Sequence, residues 1–253
     1  MTPRKVTRWQ ASGIHLLISV GIALTVLTLM LTVWYPWPLF EAMGGSGLLL
    51  ILCGVDVVLG PLITLIVFRQ GKRGMKFDLA VIAIVQLSAL LYGSHIVYLA
   101  RPAFIVFVKD QFEVSIAVEM EPERLAKAKY PEYRTLPHGG PRLVFADFPT
   151  DPAEKNKVVM AALSGFDMQQ FPEYFAPYEQ RTAQVLATAQ PIARIRKNEP
   201  KTGEIIDAWL ASSGTKEADV RYFPLRARQA WVAVLVDAKT AKIVKMLIAE
   251  KIM

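Results

Sequence analysis

Residues 12–33, 47–68 and 77–99 form three stretches of 22 or 23 residues that carry almost no charge. A bilayer core about 30 Å thick is crossed by a helix of about 20 apolar residues, so each stretch is long enough to span once. Nothing else in the chain limits its architecture so strongly. A segment of this length and polarity must either lie in lipid or be enclosed by a large soluble protein.

The distribution of charge favours lipid. Of 253 residues, 53% are hydrophobic, but they are unevenly placed. Residues 1–100 hold seven Lys/Arg and three Asp/Glu, whereas residues 101–253 hold 22 and 19, the texture of a water-facing domain. The expected organisation is a membrane domain over 1–100 and an exported α+β domain over 101–253. The net charge of +7 divides as +4 and +3, too diffuse for a nucleic-acid footprint. Cys53 is the single cysteine, so no intramolecular disulfide and no cysteine-based metal or redox pair can form.

Orientation follows from short loops, because Lys and Arg near span ends stay cytoplasmic. Arg69, Lys72, Arg73 and Lys76 crowd the second loop, and Arg4, Lys5 and Arg8 precede the first span, while residues 34–46 carry only Glu41. The N-terminus is therefore expected in the cytoplasm and the C-terminal domain in the periplasm of an inner-membrane protein. The first span exceeds a signal-peptide core and lacks a small-residue cleavage site, so it is expected to remain attached. Trp34, Tyr35 and Trp37 fit an aromatic belt at the outer interface.

The segment GVDVVLGPLITLIVF places Asp56 near mid-membrane, followed by Gly60 and Pro61. An ionised aspartate there costs about 2.5–3.5 kcal/mol on insertion scales, so Asp56 is expected to face the bundle. Counted along ideal helices, Asp56 and Gln86 each lie about 14 Å from a span end and share a level. Three roles are open for Asp56: a hydrogen bond to Gln86 that locks two spans together, a docking point for a partner helix, or part of a proton relay. Pro61 frees the Val57 carbonyl and predicts a local kink. Ala89-x-x-x-Gly93 offers a small-residue face on the third span. His15 and His95 read as interfacial polar residues, with no convergent donors for a metal.

Beyond Arg101, the run AFIVFVKDQFEVSIAV predicts a hairpin around Lys109-Asp110, and AWVAVLVDAKTAKIVKMLIAE a terminal hairpin. Helices are expected over residues 121–129, after a Thr150 or Asp151 cap, and over 177–189. The whole predicts an antiparallel sheet with flanking helices, able to fold alone in water. The basic stretches RIRKNEPK and RYFPLRAR read as solvated faces. No G-x-S-x-G, H-E-x-x-H, P-loop or G-x-G-x-x-G occurs, and His138-Gly139-Gly140 without a nucleophile elbow reads as a turn. The protein is expected to be no enzyme and to need no cofactor or metal.

Together, GIHLLISV, GVDVVLGPLITLIVF, FDLAVIAIVQLSALLYGSHIVYLARPAFIVF and YFPLRAR resemble the TfpX/TfpZ family of type IV pilin accessory proteins. The resemblance implies an inner-membrane protein that supports pilin stability or pilus assembly. It implies a major type IV pilin as partner, with membrane lipid around the spans and no nucleic acid. It carries no catalytic residues. The expected activity is that of a pilin-specific chaperone, with Asp56, Gly60, Pro61, Gln86, Ala89, Gly93 and His95 as candidate partner-binding or intramembrane polar positions. The alternative is a membrane-anchored periplasmic sensor or regulator. Only eight residues, 69–76, form the cytoplasmic loop, which counts against signalling.

Overall fold

Thr7 starts the first helix by a reciprocal cap: its hydroxyl accepts from the Gln10 amide and the Gln10 side chain accepts from the Thr7 amide. The computed structural model describes residues 6–251, so Arg4 and Lys5 of the basic flank lie outside the described residues. Helix α1 (Arg8–Leu29) runs into a π-helical turn (Met30–Trp34) and is followed by the single turn α2 (Leu39–Ala42). Helices α3 (Gly45–Val67) and α4 (Met75–Leu99) complete the apolar set. α1 with its π-turn, α3 and α4 are three helices long and apolar enough to cross a membrane. α3 packs against both α1 and α4 and so stands between them.

The rest of the chain is an α+β fold. In order, its strands and helices are β1 (Pro102–Val108), β2 (Gln111–Ile116), α5 (Pro122–Leu125), β3 (Arg142–Ala146), α6 (Pro152–Leu163), β4 (Phe175–Pro177), α7 (Thr182–Ala187), α8 (Ile192–Asn198), α9 (Pro200–Ser213), β5 (Val220–Arg226), β6 (Ala230–Asp237) and β7 (Ile243–Lys251). They form one seven-stranded sheet in the order β4-β3-β1-β2-β5-β6-β7.

The fold class is the expected one, but the sheet is mixed rather than antiparallel. β1 runs parallel to β3, and β2 parallel to β5. Parallel neighbours need a crossover connection, supplied here by the irregular segment with α5 and by the long run from β3 to β5. The expected hairpins are present: β1–β2 turns at Lys109 (φ 58°), and β6–β7 turns at Ala241 (φ 57°). Asp151 caps α6, its carboxylate accepting from the amides of Ala153 and Glu154 at 2.9 and 3.0 Å. The helix expected over 121–129 shrinks to the one turn of α5, and RYFPLRAR proves to be mostly strand β5. Pro224 is tolerated because β2 pairs only with Leu225 and Arg226 at the end of that strand.

That short β2–β5 pairing is reinforced by aromatic rings. Phe107, Phe112 and Phe223, from β1, β2 and β5, are fully buried with centroids 5.0–5.7 Å apart in edge-to-face contact. One core gathers Phe104, Val106, Val144 and Phe175, and another gathers Ile192, Ile195, Ile206, Tyr222 and Leu235.

The chain divides into two units: residues up to Thr32 with Gly45–Leu99, and Val33–Gly44 with the chain from Ala100. The loop between the first two spans thus belongs to the α+β unit. The Gln229 amide donates to the Ala42 carbonyl at 2.8 Å, and a Cβ on Gly44 (φ 80°) would come within 2.5 Å of the Gln229 side chain. Tyr35 is fully buried rather than displayed in an aromatic belt, whereas Trp37 is exposed. Burial pushes the Tyr35 hydroxyl pKa up to about 12 against the opposing pull of Arg101 and Arg228.

Candidate functional site

The buried residues of α3 include Leu52, Cys53, Asp56, Gly60, Pro61 and Thr64, spaced so that they form one stripe along the helix. Asp56, Gly60 and Thr64 follow one another at four-residue steps, which puts a carboxylate, a bare backbone and a hydroxyl on a single line. Two polar side chains of α1 close on that line. Ser12 Oγ donates to the Pro61 carbonyl at 2.9 Å, and His15 Nδ1 lies 2.6 Å from Thr64 Oγ1.

At Gly60 side chains from both other long helices come close to the α3 backbone. A Cβ there would come within 2.8 Å of His15 Nε2 and would run into the amide of Gln86 from α4. Absence of a side chain is therefore what lets the imidazole and the amide approach the α3 backbone together. Gln86 thus sits against Gly60, one turn from Asp56, and no hydrogen bond joins it to Asp56 among the described residues. α3 continues through Pro61 without interruption.

The candidate positions therefore separate into two groups. Asp56, Gly60, Pro61 and Gln86 belong to the interior cluster. Gly93 also faces inward, filled by the side chain of Leu52, while Ala89 and His95 are exposed on α4. His15, Ser12, Ser19 and Thr64 were not singled out as site residues. Ser12, His15 and Ser19 recur at three- and four-residue spacing on α1, a polar stripe that marks the face turned to α3. Ser19 and Thr64 are 5% and 2% exposed, which places them inside the packed seam.

Chemically, the cluster can bind and orient. In a low-dielectric bundle the Ser12–Pro61 and His15–Thr64 hydrogen bonds hold α1 in register with α3. Among the described residues no group of three or more His, Cys, Asp or Glu is placed to hold a metal.

In the α+β unit, the features that could suggest chemistry are engaged in structure. Gly140 packs near the Val33 carbonyl and Pro36, and the neighbouring Pro137 carbonyl accepts from the buried Arg101 at 2.9 Å. Arg196 of the basic stretch clamps Asp207 through two nitrogens and reaches Glu217 at 2.8 Å. Glu113 is 7% exposed beside Arg226. Burial pushes its carboxyl above the usual range, while Arg226 and a hydrogen bond from Gln111 pull it back. It lines a cleft of 350 Å³ with Lys109, Phe148 and Asp167.

Three apolar helices with a shared polar seam, followed by a mixed-sheet α+β unit, define a protein built to hold position at a membrane. The comparisons give it a family. A family model described as "Fimbrial assembly protein FimB" matches residues 3–44. Fimbrial assembly proteins of serogroups E1 and I of Dichelobacter nodosus are each 31% identical over 229 residues, covering 88% of this chain and 89% of theirs. The fimbrial assembly protein of serogroups C1 and C2 of the same organism is 40% identical over 105 residues, 41% of this chain and 80% of its own length. The chain belongs to the fimbrial assembly protein family. No solved structure matches it.

Proposed function

We propose that the protein is an inner-membrane accessory factor for a type IV pilin, acting as a non-enzymatic chaperone that holds the subunit before it is built into the fibre. The reading is carried by the kinship with fimbrial assembly proteins, which runs through 88% of the chain and so takes in the spans and the α+β unit alike. In this role the spans contact the apolar helix of the pilin and the α+β unit contacts its head. Asp56 is 9% exposed and makes no hydrogen bond among the described residues, so an incoming helix that packs on the exposed Val55 and Leu59 beside it would reach its carboxylate at the edge of the seam. The Ser12–Pro61 and His15–Thr64 contacts already join α1 to α3, and Gln86 of α4 packs at Gly60 one turn from Asp56, so the carboxylate is not needed to hold the helices together.

The orientation follows from Arg69, Lys72, Arg73 and Lys76 in the loop before and at the start of α4, which keep that loop cytoplasmic and put the C-terminal unit in the periplasm. A reporter active only in the periplasm should work when fused after Met253 and be silent when fused at Gly71.

Photo-crosslinking from α3 in cells tests the partner. A photoreactive residue in place of Val55 or Leu59, both exposed and flanking Asp56, should yield an adduct with the major pilin. Asp56→Leu should weaken that adduct while the accessory protein keeps its abundance. Adducts with lipid alone, or with a protein that is no fimbrial subunit, would remove the chaperone reading.

A further inference from the structure

The hydroxyls on the outer face of α1 satisfy themselves. Thr25, Thr28 and Thr32 each donate to the carbonyl one turn back, at 2.7–2.9 Å. The outer face of α3 avoids the problem, since its exposed large residues, among them Leu50, Ile51, Val58, Leu62 and Ile66, are apolar. α4 differs from both. Ser88, Tyr92 and His95, at four- and three-residue steps, share its exposed face, with Tyr92 70% exposed. None of these three side chains has a hydrogen-bond partner among the described residues.

Their depth makes this costly. Counted from the end of α4 at Leu99, Ser88, Tyr92 and His95 lie about 16, 10 and 6 Å inside the helix. Helical side chains lean toward the helix N-terminus, so the Tyr92 hydroxyl is carried away from the nearer membrane surface rather than toward it. Polar groups left unpaired in hydrocarbon are strongly disfavoured, and at that depth another helix is the ready source of partners.

We propose that this face of α4 is a dimer interface, occupied by α4 of a second copy of the chain. Copies in one membrane share an orientation, so a two-fold axis along the membrane normal sets the two helices parallel. In a parallel pair a residue meets its own equivalent and the residues three and four away. The stripe is self-complementary at those offsets. The Tyr92 hydroxyl, carried toward the helix N-terminus, can donate to the hydroxyl of the other copy's Ser88, a bond that forms twice, and the two His95 imidazoles meet each other across the axis. Ala89, exposed beside Ser88, lets the backbones approach at the crossing. The inference needs α4 to span the membrane but does not depend on which substrate or partner the protein serves.

The test uses the full chain in native membranes. A photoreactive phenylalanine analogue at Leu91, on the same face and 70% exposed, should give an adduct with twice the mass of the chain. The same probe at Ile51, 74% exposed on α3, should not. Tyr92→Phe keeps the ring and removes the hydroxyl from an exposed position, so the monomer should retain its abundance while the dimer in mild detergent weakens by about tenfold, one bond being lost on each side. A Leu91 adduct no stronger than that from Ile51 would overturn the proposal. So would a Leu91 adduct with a different protein, or a dimer unchanged in both Tyr92→Phe and His95→Ala.

Discussion

Gly60 bears the tightest steric constraint in the bundle, and its surroundings make a prediction at the level of one residue. A Cβ there meets the end of Gln86, which can swing aside, and His15, which is held at 2.6 Å from Thr64. Gly60→Ala should therefore already press on both side chains and destabilise the bundle, with partial rescue by Gln86→Ala, which clears the amide but not the imidazole. Gly60→Val should force His15 off Thr64 and destabilise the bundle by about 1–3 kcal/mol, the usual range for overpacking. Resistance of the purified protein to unfolding in detergent mixtures measures both. Wild-type resistance in both the Ala and Val variants would mean that the three helices do not meet at this point.

At the level of elements, the weak joint of the sheet is between β2 and β5, which share only the pairs Phe112–Leu225 and Glu113–Arg226. Two register pairs are too few to hold two halves of a sheet, and the Phe107–Phe112–Phe223 cluster supplies what the backbone does not. Phe112→Ala is expected to cost about 3–5 kcal/mol, as for other fully buried phenylalanines. Its particular signature is local: amides of β5 should lose protection from hydrogen exchange before those of β1, which keeps β3 as a second neighbour. Uniform loss of protection across the sheet would show that the joint is no weaker than the rest. The sheet's outer edge at β7 is treated differently. Irregularities in its pairing with β6 and the exposed Lys245 disturb a nine-residue edge that would otherwise invite strand addition.

For the whole molecule, the assignment of Val33–Gly44 to the α+β unit changes what counts as a domain. Leu39, Phe40 and Met43 of this segment are buried, and the Ala42 carbonyl is tied to Gln229. A fragment of residues 101–253 alone therefore lacks part of its own unit. It should unfold at a lower temperature than a fragment to which residues 33–44 are joined by a flexible linker. Burial of three large apolar side chains is worth about 1.5–3 kcal/mol each at full exposure change, enough to be seen in a circular-dichroism melt. Identical melts would mean that the segment adds nothing to the unit's stability.

The amino-acid sequence determined the number and limits of the long helices, because about 20 apolar residues without charge have few other fates. It also determined the hairpins at Lys109 and Ala241, where alternating apolar runs flank polar turns, and it marked Asp56, Gly60, Pro61 and Gln86 as residues that interrupt an apolar pattern. These are local signals, carried within one segment. What depended on two or more segments meeting was decided only by the tertiary structure. The pairing of His15 with Thr64 and the seat of Gln86 against Gly60 depend on how α1 and α4 are rotated against α3, and a nearly uniform apolar helix has too weak an amphipathic pattern to fix that rotation. Ala89 and Gly93 look alike in sequence, yet Leu52 fills one and leaves the other outside. The parallel pairings of β1 with β3 and β2 with β5 depend on the path of long crossovers. Tyr35, placed by composition in an interfacial belt, is instead buried with the segment Val33–Gly44 in the α+β unit, a placement that depends on residues distant in sequence.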